Sequence, residues 1–307
     1  MRRPGSLHAT AALAVGLAVG LVLLIAACGG PSGPGAAGTP GSPSSAGSSV
    51  TASSDYTSYV ALGDSYSAAP GNPTTAQANG CVRSDHDYPH LLAAQLGIRT
   101  LHDVTCSGAR TQDLTGRQAT YDSGTSVAPQ FDALSSDTDL VTISIGGNDM
   151  NLIGLLGQCA ALAQNGATGS PCKDRYAADV EEYSPRVRQH LVAAVREVGR
   201  RAPKATVVVV GYPQPFPTDE TCTQLPLASG DYAFAAQLID QVNDYLREAA
   251  EKAGATYVDV SDASEGHDIC SESPWIDGAS PAPDAQPLHP FPREQTAVAG
   301  LIADALG

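Results

Sequence analysis

Five short β-forming runs, separated by segments of helical periodicity, constrain this 307-residue chain more than any other feature. The runs are 59–62, 101–105, 140–144, 206–211 and 256–260. Between them, 88–96 places Leu91, Leu92 and Leu96 on one helical face. The segment 185–198 does the same with Val187, Leu191, Val195 and Val198, and 234–253 with Leu238, Val242 and Leu246. A last helical segment, 294–306, follows Pro292, which suits a first turn. Alternating strands and helices predict an α/β fold whose mostly parallel sheet is covered on both faces. Sites in such sheets form at the carboxyl ends of the strands. Ser65 follows the first run, Gly108 the second and Asn148 the third, so the topology gathers three separated motifs at one edge.

The amino terminus stands outside this pattern. Arg2 and Arg3 precede an uncharged apolar run that closes on Ile25-Ala26-Ala27-Cys28, which resembles a bacterial lipobox. Residues 1–27 therefore read as a lipoprotein signal peptide, with Cys28 as the lipidated residue; the alternative is an uncleaved membrane anchor. The stretch 28–54 is nearly all Gly, Pro, Ala, Ser and Thr, too poor in apolar residues to form a core, and reads as a flexible linker. The globular domain is then 55–307, a size that suits one α/β domain.

Charge and cysteines restrict partners and compartment. Lys and Arg number 17 against 32 Asp and Glu, a formal net charge of −15. Such a chain has no basic surface for nucleic acid and none for electrostatic docking on anionic lipid, so Cys28 is the expected membrane contact. Besides Cys28 there are six cysteines: Cys81, Cys106, Cys159, Cys172, Cys222 and Cys270. An even number in an exported chain points to disulfides. Six allow fifteen pairings, and spacing alone does not choose among them. Sequential pairing is expected, because each bridge would then staple one long loop and contribute about 3 kcal/mol. A cysteine-based zinc site is disfavoured, because no tight Cys-x-x-Cys spacing occurs.

Four short motifs carry chemistry. Gly63-Asp64-Ser65-Tyr66-Ser67 puts a hydroxyl at the mouth of the first strand, where a nucleophile would be useful. The chain has no Gly-x-Ser-x-Gly elbow, which disfavours an α/β-hydrolase fold. Cys106-Ser107-Gly108-Ala109 offers a backbone N–H where glycine permits close approach. Ser144-Ile145-Gly146-Gly147-Asn148-Asp149 offers a side-chain amide, a donor that does not titrate; one such oxyanion donor is worth about 3–4 kcal/mol in a transition state. Pro287-Leu288-His289-Pro290 holds an imidazole between prolines just before the last helix, a base suited to neutral pH. His86, His90, His102, His190 and His267 show no comparable setting and are assigned no role.

Ser65, Gly108, Asn148 and His289, in this order and in these motifs, resemble the SGNH (GDSL-type) hydrolase family across the whole globular part. The chain is most similar to its secreted, disulfide-containing actinobacterial esterase/lipase branch. The resemblance implies a single-domain, three-layer α/β/α sandwich of flavodoxin-like type with a five-stranded parallel sheet. It implies the disulfides Cys81–Cys106, Cys159–Cys172 and Cys222–Cys270. It also implies that Ser65 is the nucleophile, that His289 is the base, and that Ser65, Gly108 and Asn148 form the oxyanion hole, with no metal or cofactor.

One departure matters. Where many members of that family carry Asp three residues before the catalytic His, this chain has Gln286. A neutral amide does not stabilise an imidazolium as a carboxylate does. The expectation is a Ser–His dyad in which the Gln286 backbone carbonyl accepts from His289 Nδ1–H; the competing orienter is Asp284. Phe291 replaces a common Asn, without expected catalytic consequence. The reading is a monomeric, extracytoplasmic serine esterase/lipase acting on a small-molecule or lipid acyl ester, lipid-anchored or secreted. A carbohydrate O-deacetylase is the runner-up, and a non-catalytic binding lipoprotein is the rival from another class. The stretch 154–171 is expected to be a lid-forming loop, and Trp275 to line the pocket.

Overall fold

The computed structural model describes residues 56–76, 80–121, 124–217 and 221–307. The expected signal peptide, Cys28 and the linker lie outside the described residues. Five parallel strands form the central sheet: β1 (Ser58–Gly63), β2 (Thr100–Asp103), β3 (Leu140–Ser144), β4 (Thr206–Val210) and β5 (Thr256–Val258). Their spatial order is β2-β1-β3-β4-β5. All five sequence-predicted strands are present, each within two residues of its expected end. Val60, Leu62, Leu140, Val141, Ile143, Val208 and Val209 are fully buried, as strands covered on both faces require.

Seven α-helices complete the described fold: α1 (Ser65–Ala68), α2 (Tyr88–Leu96), α3 (Leu152–Gln164), α4 (Pro171–Arg201), α5 (Tyr232–Ala253), α6 (Val260–Ala263) and α7 (Pro292–Leu306). α2 packs against α7 and α4 against α5, giving the expected three-layer α/β/α sandwich. α5 buries Leu238, Ile239, Val242 and Leu246, a stripe at helical spacing. Among the described residues no helix is long and apolar enough to cross a membrane.

Two helices depart from the sequence expectation. The stretch taken for a lid loop is largely α3, because Leu152, Leu155, Leu156 and Cys159 fall on one buried face. α4 begins well before Pro185 and runs through it for 31 residues. The Pro185 ring is on the exposed face, while Val180, Ser184, Val187 and Leu191 are buried.

The three disulfides join Cys81 to Cys106, Cys159 to Cys172 and Cys222 to Cys270, with Cα atoms 4.5, 5.0 and 5.5 Å apart. The first lies beside the loop that carries Gly108, and the second ties α3 to the start of α4.

Candidate active site

Strand order reverses between β1 and β3, and the ends of these two strands define the site. Gly63 closes β1 opposite Ser144 of β3. A Cβ on Gly63 would stand 2.8 Å from the Ser144 carbonyl oxygen, so the close approach requires glycine. Gln130 clamps the same residue: its Oε1 accepts from the Gly63 N–H at 2.9 Å and its Nε2 donates to the Gly63 carbonyl at 2.9 Å. Asp64 caps α1 by accepting from the Tyr66 N–H at 3.0 Å. Ser65 is thereby the first helical residue, and its own N–H has no acceptor among the described residues.

The Gly108 loop is held from both sides. Ser107 N donates to the Cys81 carbonyl at 3.0 Å, and Gln118 Nε2 to the Ser107 carbonyl at 2.9 Å. Gly108 has φ +80°, which glycine adopts without strain. Its N–H has no internal acceptor among the described residues.

The turn after β3 carries Asn148. Its Nδ2 donates one N–H to the Ala109 carbonyl at 3.0 Å, which ties this turn to the Gly108 loop and leaves a second N–H. Asp149 reinforces the junction: Thr111 N donates to its Oδ2 at 2.9 Å, and the Thr111 hydroxyl bonds to its Oδ1. Ser65 and Asn148 line one slot, whose wall is largely apolar: Leu152, Ile153, Leu156, Phe216 and Ile239. The hollow between Val195, Lys252 and Thr256 lies at the opposite edge of the sheet and holds none of these residues.

His289 approaches from the carboxyl-terminal part of the chain. Its ring is half-buried against Tyr66, with centroids 5.9 Å apart, so it stands beside the helix that Ser65 begins. The Tyr66 hydroxyl donates to the Leu288 carbonyl at 2.9 Å and fixes the loop. The ring's partner differs from the expectation. His289 Nδ1 pairs with the Pro287 carbonyl at 2.8 Å, whereas the Gln286 carbonyl accepts from the His289 main-chain N–H at 3.0 Å. Leu288, at φ +62°, folds the chain so that the Pro287 carbonyl faces the ring. Asp284 is exposed, and it is its main-chain carbonyl that is engaged, by Asn72 Nδ2 at 3.2 Å. Its carboxylate makes no bond to His289 among the described residues.

A carbonyl only accepts, so Nδ1 carries the proton and Nε2 is the basic nitrogen. Burial lowers the proton affinity of the ring from its ordinary value, and the Pro287 carbonyl opposes that shift. Neutral imidazole with a free Nε2 is the form that accepts a proton from a hydroxyl.

Sequence reasoning missed Tyr212. Its hydroxyl accepts from Gly147 N and donates to Asp64 Oδ2, and so links the turns that carry Asn148 and Ser65. Its position just past β4, at the carboxyl end of a strand, is the signal that could have found it. Trp275 does not line the slot; it stacks on His267, with centroids 4.9 Å apart, and accepts from Phe291 N–H at 2.8 Å.

The flavodoxin-like sheet thus brings a serine at the first strand's end, free backbone and amide donors, and a histidine on a late loop into one region. Comparison with known proteins gives the family. Residues 61–293 match the GDSL-like Lipase/Acylhydrolase family. Lipase 2 of Streptomyces coelicolor is 43% identical over 261 residues, covering 81% of this chain and 85% of that protein. Lipase 1 of the same organism is 32% identical, covering 76% and 80%. The crystal structure of an extracellular lipase from Streptomyces rimosus superposes with a TM-score of 0.69 at 30% identity, covering 81% of this chain and 99% of that one. The structure of phospholipase A1 from Streptomyces albidoflavus NA297 also gives 0.69, at 28% identity and the same coverage. The chain belongs to the GDSL-like lipase/acylhydrolase family and is a carboxylic ester hydrolase.

Proposed function

We propose that the protein cleaves acyl esters through a Ser65–His289 dyad. His289 Nε2 takes the Ser65 hydroxyl proton as Oγ attacks the ester carbonyl carbon. The oxyanion that forms is held by the N–H groups of Ser65 and Gly108 and by the second N–H of Asn148. The tetrahedral intermediate collapses, His289 returns the proton to the leaving alcohol, and an acyl-Ser65 ester remains. Water, deprotonated by His289, then releases the acid and restores Ser65.

The observation that carries this reading is the set of unused donors beside Ser65, together with a histidine whose Nδ1 is fixed by Pro287. The Pro287 carbonyl is the orienter in this proposal, in place of a carboxylate. The apolar wall of the slot favours the acyl chain of a lipid or small-molecule ester over a sugar. Three disulfides suit an oxidising compartment, and the lipobox-like Cys28 suits attachment to the outer face of the cell membrane.

Ser65→Ala is the direct test. Hydrolysis of p-nitrophenyl butyrate and labelling by a fluorophosphonate probe should both vanish while the fold is retained; labelling or turnover that persists overturns the assignment. Cys28→Ala should abolish incorporation of labelled palmitate into the protein, and labelling that persists removes Cys28 as the anchor.

A further inference from the structure

Away from Ser65, the start of α2 meets the end of β2, and three potential metal ligands converge there. Asp87, His90 and Asp103 each present one ligand atom, all within 4.8 Å of one another. His90 Nδ1 lies 2.6 Å from Asp87 Oδ1 and 3.6 Å from Asp103 Oδ2. Asp87 is fully buried, and the Asp103 side chain is 4% exposed. His90, with its side chain 39% exposed, closes the cluster towards solvent.

Two oxygens in this cluster accept no hydrogen bond. Asp87 Oδ2 is buried without a hydrogen-bond donor, and Asp103 Oδ2 has no closer partner than the Arg83 ion pair, among the described residues. Leaving such atoms unpaired is costly, and native folds rarely do so without a reason. Arg83 is the neighbouring cation. Its Nε stands 3.3 Å from Asp103 Oδ2, and its Nη1 donates to the Thr105 carbonyl at 2.6 Å. It offsets the Asp103 charge and leaves Asp87 facing a second carboxylate across the cluster. No step of ester hydrolysis uses these residues.

We propose that Asp87, His90 and Asp103 bind a zinc-type divalent transition-metal ion that clamps the start of α2 to the end of β2. Two carboxylate oxygens and one imidazole nitrogen suit zinc, which takes three protein ligands with water as the fourth. Calcium wants six to eight oxygens and is poorly served here. With bonds of about 2.0–2.2 Å, tetrahedral donors stand about 3.4 Å apart. The Nδ1–Asp103 Oδ2 separation is near that value. The Nδ1–Asp87 Oδ1 pair must open by less than 1 Å, as the proton between them leaves for solvent and the metal takes its place. The ring then keeps its N–H on Nε2, towards water. The clamp would stiffen a loop that matters for the site, because Asp103 Oδ1 accepts from Thr105 N and Oγ at 2.9 and 2.7 Å just before Cys106-Ser107-Gly108.

The test is calorimetric titration of ZnCl2 and CaCl2 into the chelator-stripped full chain, paired with thermal melting. His90→Ala is the main variant: the Asp87 cap bonds the His90 backbone N–H, at 3.0 Å, and survives the change. Wild type should take up one zinc ion per chain and no calcium. At a hundredfold excess over the dissociation constant its melting temperature should rise by roughly 5 °C or more. His90→Ala should weaken uptake at least about tenfold and abolish the rise. His86→Ala, which removes the exposed Asp85–His86 pair as a competing binder, should change neither. Equal uptake by wild type and His90→Ala, no uptake at all, or loss confined to His86→Ala would each overturn the proposal and leave the two carboxyls sharing a proton.

Discussion

The Tyr212 hydroxyl bridges two turns of the active site, donating to Asp64 Oδ2 at 2.6 Å and accepting from the Gly147 N–H at 3.0 Å. Asp64 caps the helix that Ser65 begins, and Gly147 precedes Asn148. Asn243 holds the Tyr212 backbone from both sides, with its Oδ1 accepting from Tyr212 N at 2.8 Å and its Nδ2 donating to the Tyr212 carbonyl at 2.9 Å. The spacing between the Ser65 and Asn148 turns is therefore set by a tyrosine from β4's exit loop, 148 residues from Asp64.

Tyr212→Phe should lower kcat roughly tenfold to a hundredfold and leave KM within about twofold, because one charge-assisted hydrogen bond is lost while the ring still lines the slot. The loss should depend on pH. Burial pushes the Asp64 carboxyl up to about 7, opposed by the Tyr212 and Tyr66 donors. Removing the Tyr212 donor raises it further, so Asp64 is more often neutral and a weaker cap near neutrality. The kcat deficit should be larger at pH 8, where wild-type Asp64 is largely ionised and the variant's is not, than at pH 6, where both are largely neutral. A residue that mattered only for stability would lower the melting temperature and leave the shape of the profile unchanged.

Gly108→Ala should cut kcat/KM for a p-nitrophenyl ester at least about tenfold. A Cβ at φ +80° is strained, and it would stand 3.3 Å from the Tyr121 hydroxyl. The exposed Tyr121 side chain can swing aside, but the φ strain is relieved only by moving the backbone, and the N–H moves with it. The melting temperature should fall by only a few degrees, since the cost is about 1–2 kcal/mol. Unchanged kinetics would remove Gly108 from the oxyanion hole.

Asp284→Asn separates the backbone-oriented dyad from a carboxylate triad. The exposed Asp284 carboxylate does not meet His289, and Pro287 holds Nδ1 instead. Turnover should change by less than about threefold; a loss of thousands-fold would restore the triad.

How much of this was legible in the sequence follows from the range of each interaction. Ser65, Gly108 and Asn148 each stand just past a strand, so strand order alone brought them to one edge. Cysteine order anticipated the three bridges. The Nδ1 partner was missed by one residue, because Leu288 adopts a left-handed conformation that non-glycine residues seldom do and nothing local announces it. Tyr212, Gln130 and Asn243 act on residues 148, 67 and 31 positions away, through isolated side-chain hydrogen bonds that leave no periodic trace. Helix α3 was hidden by its Gly and Ala content, although Leu152, Leu155 and Leu156 carried the spacing. His90 lies three residues from Asp87, but Asp103, the other carboxylate beside it, comes from a different element and has no sequence signal linking it to the pair.

Glu294 gives the stability of the His289 loop a pH dependence of defined sign. It is 2% exposed in the first turn of α7, accepts from Gln295 Nε2 at 2.6 Å, and burial pushes its carboxyl up to about 8. Gln295 in turn donates to the Tyr66 carbonyl at 2.9 Å and accepts from Tyr88 N at 2.6 Å, which joins this turn to the helices beside the site. A carboxyl whose folded value lies above its unfolded value binds its proton more tightly in the native state. Its contribution is complete below about pH 4.5 and is lost as pH rises through about 8, at up to about 1.4 kcal/mol per pH unit. Asp64 titrates in a lower window and is present in both proteins, so it cancels from the comparison. Glu294→Gln keeps the shape and removes the titration, leaving a cost that does not vary with pH. Urea unfolding at pH 5, 7 and 9 should show the variant gaining on wild type at each step, with the largest relative gain at pH 9; parallel stability curves would mean that Glu294 titrates normally and is not buried in solution.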